Sequence, residues 1–163
     1  MKKWLIPVII IAVIIFGLYS WAKGFNNTAV GLNENVKESW GNVQTSYQRR
    51  NDLIGNLVNT VKGAADFERT TLTEVIEARS KATQTTIDPT NITPEQLQQF
   101  NEAQGGLSSA LSRLLVTVER YPELKANENF LKLQDELTST ENTIQTARTR
   151  YNEAIKPYNV HVN

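Results

Sequence analysis

The chain has 163 residues and a mass of 18.4 kDa, room for one domain and little space for a second independent core. Hydrophobic residues make up 40% and charged residues 21%, with only 8 Gly and 5 Pro, a profile that is neither disordered nor collagen-like. Lys plus Arg (17) balances Asp plus Glu (17), so no basic field exists to hold nucleic acid. With no Cys and a single His, His161, disulfides, thiolate catalysis and most Cys- or His-based metal sites are excluded.

From Trp4 to Trp21 no residue is charged, and the stretch is dense in branched aliphatics. As a helix it would span roughly 25 Å at ~1.5 Å per residue, close to the ~30 Å hydrocarbon core of a bilayer. Trp4 at one end and Tyr19 with Trp21 at the other stand where interfacial aromatics belong, and Lys2, Lys3 and Lys23 bracket the run. The run is longer than the ~7 to 15 apolar residues of a cleaved signal, and no Cys follows it for lipid attachment. Residues 1–23 are therefore read as an uncleaved transmembrane anchor that contacts the bilayer through residues 4–21. Lys2 and Lys3 outnumber Lys23, which places the N-terminus in the cytoplasm and the body outside it. Residues 24–163 carry 14 basic and 17 acidic side chains, so the body has no charge-based affinity for anionic lipid.

The body, residues 24–163, reads as helical runs. Val36, Trp40, Val43, Tyr47, Arg50, Ile54, Leu57, Val61 and Ala64 step by fours and threes, which stacks them on one helical stripe. Leu72, Val75, Ile76 and Ala78 resume the stripe, predicting one long helix from about Asn27 to Ala82. Gly55 and Gly63 inside it mark bends or close backbone contacts. Residues 83–93 have turn chemistry and form a linker. Thr93-Pro94 with Gln96 is a capping box that starts a second helix, and Ile92 faces Leu97 as a staple. That helix buries Leu97, Phe100, Gln104, Leu107, Leu111, Leu114, Val118 and Tyr121, has a weak point at Gly105-Gly106 and closes at Pro122. Asn127 caps a third run whose seam is Phe130, Leu133, Leu137, Thr140, Ile144, Ala147, Tyr151, Ala154 and Tyr158. Three such stripes bury one another in an antiparallel bundle, giving an all-α fold behind a single transmembrane helix.

Polar residues break the seam. Arg50 faces the core, and Glu119, Glu141 and Arg148 lie beside seam positions on the other helices. A buried arginine without a partner is costly, so Arg50 is expected to pair with a carboxylate from another helix, Glu141 or Glu119. An interhelical polar network of Arg50, Glu119, Glu141 and Arg148 follows. The alternative is a polar internal site around Arg50, with Gln104 and Thr140, that takes an anionic ligand. Catalytic, cofactor and metal sites find no support. The carboxylates Glu68, Glu74, Glu119 and Glu123 belong to solvated faces, Gly105-Gly106 follows no strand, and His161 completes no Glu-x-x-His motif.

The motif Trp40-Gly41-Asn42-Val43, followed by the block from Tyr47 to Gly63 (YQRRNDLIGNLVNTVKG), strongly resembles the LemA family of bacterial proteins. Glu77-Ala78-Arg79, the block Gly106 to Leu114 (GLSSALSRL), Glu119 to Asn127 (ERYPELKAN), Phe130 to Leu137 (FLKLQDEL) and Ala147 to Asn152 (ARTRYN) agree with it. The resemblance implies a bacterial membrane protein with one N-terminal span and an antiparallel helical bundle, and it implies no enzymatic activity. The chain departs from the family pattern at Gly55, where members carry Pro, and past Tyr158-Asn159, where members continue with an apolar, aromatic-containing tail. The functional expectation is a membrane-tethered interaction or scaffolding module of the bacterial envelope, working on a protein partner or on copies of itself. The second expectation is a ligand-sensing or transport-accessory bundle.

Overall fold

The computed structural model describes residues 5–63, 67–89 and 92–162. Trp4, Lys2, Lys3 and Ala64, on which parts of the sequence reading rest, lie outside these residues. The elements are α1 (Leu5–Lys62), α2 (Arg69–Gln84), α3 (Pro94–Val118), α4 (Pro122–Lys125) and α5 (Glu128–Val162). No strand occurs among the described residues, as the heptad-like spacing requires.

Helix α1, with 58 residues, is about 87 Å long at ~1.5 Å per residue. Its first third touches nothing: Val8 to Leu18 are exposed along every face. It is the one described helix long and apolar enough to cross a membrane, and that apolar window is wholly unburied within the protein. From Val36 onward the same helix turns one stripe inward, burying Val36, Trp40, Val43, Tyr47, Ile54, Leu57 and Val61.

The single helix expected over residues 27–82 is in fact two. Helix α1 stops at Lys62, the Gly63 amide donates to the Thr60 carbonyl at 3.2 Å in a tightened last turn, and Glu68 is extended before α2 starts. The stripe keeps its phase across this break, so periodicity alone cannot report it. Burial drives the reversal. Phe67 packs on Tyr121 with ring centroids 4.8 Å apart, and α2 folds back to place Leu72 and Val75 in the core instead of extending them into water.

The linker ends where the capping chemistry puts it. The Thr93 hydroxyl accepts from the Gln96 amide, and the Gln96 side chain accepts from the Thr93 amide at 3.1 Å. Helix α3 runs unbroken through Gly105-Gly106, so the expected weak point does not interrupt it. Pro122 opens α4, and the Asn127 side chain accepts from the Phe130 amide at 3.0 Å at the start of α5.

The helices α1, α2, α3 and α5 run up, down, up and down. Helix α5 lies antiparallel along α1, α2 packs on both α1 and α3, and the backbones of α3 and α5 stay apart. The interior divides into two apolar clusters. One gathers Val36, Trp40, Val43 and Tyr47 with Phe100, Ile144 and Tyr151. The other gathers Ile54, Leu57 and Val61 with Val75, Leu107, Leu114, Phe130 and Leu137. Between them each of the three long bundle helices contributes a buried polar residue: Arg50, Gln104 and Thr140.

Candidate functional site

Arg50 is only 3% exposed. Its Nη1 donates to Glu141 Oε1 at 3.1 Å and to Ser108 Oγ at 3.2 Å, and its Nη2 donates to the side-chain oxygen of Gln104. Its guanidinium carbon sits 4.9 Å from the Tyr47 ring centroid, a cation–π arrangement on the side of the first cluster. Nε has no partner among the described residues. Gln104 itself reaches across to α2, where its Nε2 donates to the Ala82 carbonyl at 3.4 Å, so one layer ties all four helices. The Thr140 hydroxyl donates to the Glu136 carbonyl within its own helix at 2.8 Å and adds no link.

A charge this deep would cost several kcal/mol unless paired and hydrogen-bonded. The layer supplies the carboxylate from the edge: Glu141 keeps 47% of its side chain in solvent while Arg50 is buried. The ion pair therefore spans the wall between interior and water. Asn51, beside Arg50 and equally buried, has no partner for its side-chain oxygen among the described residues, while its carbonyl accepts from Arg79 Nε at 2.7 Å.

From the layer toward the base of the bundle, the separation of α3 from α5 opens a groove of about 790 Å³ with Tyr47 and Arg50 as its floor. One wall is Asn101, Gln104, Gly105 and Ser108 from α3; the other is Glu141, Gln145, Arg148 and Asn152 from α5. Asn101, Gly105 and Ser108 on α3, with Gln104 beside them, and Glu141, Gln145, Arg148 and Asn152 on α5 step by threes and fours, so each wall is one helical face. Gly105 has open space where a Cβ would stand, which thins the α3 wall. Amide side chains dominate the lining, and each offers both a donor and an acceptor.

Of the four residues expected in the polar network, Arg50 and Glu141 meet directly. Arg148 stands two turns further along α5 on the groove wall, exposed, with no ion pair among the described residues. Glu119 does not join them. It follows the end of α3, eleven residues beyond Ser108 and so about 16 Å away along the helix, and accepts from Lys125 Nζ at 2.5 Å on the exposed rim. Ser108, Asn101 and Gln145 were not singled out in the sequence, since polar residues beside a seam look the same as a solvated face. At the far side of the first cluster, Tyr151 packs on Trp40 with centroids 5.0 Å apart, and burial pushes its phenol above the ordinary tyrosine range. No group of three His, Cys, Asp or Glu able to hold a metal occurs among the described residues.

These features define a class: an all-α antiparallel bundle carried on a long helix whose leading third is bare and apolar. Comparison with known proteins makes this specific. The LemA family model matches residues 39–163, and the chain belongs to the LemA family. Among similar proteins, Magnetosome protein MamQ 2 of Paramagnetospirillum magneticum is 27% identical over 153 aligned positions, covering 83% of this chain and 56% of the relative. Magnetosome protein MamQ of Magnetospirillum gryphiswaldense is 25% identical over the same shares. Protein LemA of Metamycoplasma hominis is 26% identical over 118 positions, covering 72% of this chain and 50% of the relative. The chain thus spans about half the length of the curated relatives it matches.

Proposed function

We propose that this protein is a single-pass membrane-anchored module of the bacterial envelope whose bundle binds another protein, with the groove between α3 and α5 as its binding face. The groove carries the reading: α3 and α5 stand open over a buried arginine whose Nε–H has no partner among the described residues. The apolar leading third of α1 supplies the anchor, and the excess of Lys2 and Lys3 over Lys23 favours a bundle outside the cytoplasm. A photo-crosslinking amino acid at Gln145 or Asn152, on the groove wall, is expected to give a discrete protein adduct in cells. The same group at Thr143, exposed on the side of α5 opposite the groove wall, is expected to give none. Absence of both a partner adduct and a self-adduct from the groove positions overturns the reading. Because the chain has no Cys, a single Thr138→Cys and a membrane-impermeant maleimide report the side: labelling in intact spheroplasts supports the outward orientation, and labelling only after lysis reverses it.

A second reading treats the groove as a small-ligand site. Its volume is within the ~300 to 1,000 Å³ typical of such pockets, and Arg50 with Arg148 gives it one more positive than negative charge against Glu141. A carboxylate such as glutarate that raises the melting temperature of the wild type, and not of Arg148→Gln, would favour this reading over a protein partner.

A further inference from the structure

Helix α5 continues beyond its last fully buried residue, Ala154, for two more turns, even though Pro157 removes one main-chain donor from the helix there. What its end meets is α1. The His161 ring stacks on Phe25 with centroids 4.2 Å apart, and His161 Nε2 lies 2.9 Å from the Phe25 carbonyl oxygen. Phe25 in turn is 6.1 Å from Trp21, which is exposed on the apolar third of α1. The same last turn of α5 carries Val160, 83% exposed, and Val162, 52% exposed. Branched apolar side chains bare at a helix end, level with exposed Phe25 and one turn beyond exposed Trp21, continue the apolar surface of α1 sideways.

We propose that this end of α5 is a second membrane contact, a lipid-facing collar of Trp21, Phe25, Val160 and Val162 that seats the base of the bundle in the headgroup layer; it rests on the anchored reading above. Height decides the occupant. Phe25 and His161 lie four residues beyond Trp21, hence about 6 Å further from the hydrocarbon, and the headgroup layer is roughly 5 to 8 Å deep on each side. Aromatic and branched residues partition into that layer, and the collar is continuous with the helix that would cross it. Two fastenings at one level, α1 passing through and α5 resting on the surface, hold the bundle upright. Arg50 then stands 25 residues above Phe25, about 37 Å from the collar, so the groove is presented at a fixed height.

The full chain in vesicles of equimolar phosphatidylcholine and phosphatidylglycerol tests this, using single cysteines at exposed positions carrying a bimane fluorophore. Val160→Cys is expected to be quenched roughly twofold by a headgroup nitroxide lipid, Ile14→Cys by a nitroxide deep on the acyl chain, and Val116→Cys, exposed at the other end of the bundle, by neither. If Ile14→Cys is quenched while Val160→Cys behaves like Val116→Cys, the collar fails and the anchor stands. If Ile14→Cys is untouched by both lipids, the anchored reading fails and takes the collar with it. A Val160→Cys label shielded from aqueous iodide but indifferent to nitroxide lipid means that a second copy covers the collar, which overturns the lipid assignment.

Discussion

Replacing Arg50 by Met and Gln104 by Leu, singly and together, dissects the polar layer. Arg50→Met keeps most of the aliphatic volume, releases half-exposed Glu141 and exposed Ser108 to water at little cost, and strands the side-chain oxygen of Gln104, which is 4% exposed. A buried acceptor left unpaired costs about 1 to 3 kcal/mol, partly offset by removal of the desolvated charge, so a loss of about 2 kcal/mol is expected. Gln104→Leu alone does the reverse, leaving Arg50 Nη2 with only the distant Gln104 carbonyl at 3.4 Å, and costs about 2 to 3 kcal/mol. Together the two changes remove charge and orphan alike, and the two apolar clusters meet across the layer. The double variant should then lie within about 1 kcal/mol of wild type, and above both singles. For a chain of this size each kcal/mol moves the melting temperature by about 2 to 4 °C, so losses of about 4 to 12 °C in the singles should be largely recovered. Thermal melts of the full chain in detergent, followed by far-UV circular dichroism, measure this. Additive losses, with the double variant below both singles, would refute the reasoning.

Thr93→Ala deletes the hydroxyl that accepts from the Gln96 amide and should cost about 1 kcal/mol in the same melts; an unchanged melting temperature would mean that the cap contributes nothing. Gly55→Ala sets helix propensity against space. The new Cβ would stand 2.9 Å from the Arg79 guanidinium, whose Nε is held by the Asn51 carbonyl at 2.7 Å. The propensity gain of about 1 kcal/mol is outweighed by the loss of that charged hydrogen bond, about 1.5 to 3 kcal/mol, so Gly55→Ala should destabilise wild type and stabilise an Arg79→Ala background. Tyr151 governs an alkaline limit. Its folded pKa is raised by burial above the unfolded value of about 10, so its contribution is complete below pH ~10 and is lost as pH rises through the folded value. Denaturation midpoints should fall above pH ~10 in wild type and fall less steeply in Tyr151→Phe, which should match wild type at neutral pH.

The helix ends that were legible are those marked by a side chain acting on its own backbone: Thr93 with Gln96, and Asn127 at α5. The break after Lys62 had no such mark. Its only signal was Gly63, and the stripe resumed in phase at Leu72 because both helices face the same core from opposite directions. The polar layer was visible because Arg50, Gln104 and Thr140 interrupt apolar seams. Its partner assignment needed axial height as well. Once Trp40 is set against Tyr151, ten residues forward on α1 and ten back on α5 bring Arg50 to Glu141, whereas Glu119 falls at the end of α3. The groove was not legible, because stripes specify which side of each helix is buried and say nothing of which helices are neighbours around the ring.

The layer raises a choice that the double variant also decides. Seams stepping by threes and fours can slip by a heptad at small cost in apolar burial, and a buried arginine held by Gln104 and Glu141 would penalise every slipped register, since only one alignment supplies both acceptors. A pure register device, however, needs no opening to solvent, whereas here the amide-rich faces of α3 and α5 leave a groove over Arg50. The open wall is thus a feature that register does not explain. If the Arg50→Met, Gln104→Leu chain melts like wild type and keeps Phe25 against His161 while its groove crosslinks vanish, the layer serves binding. If crosslinks persist while helices slip, it serves alignment alone.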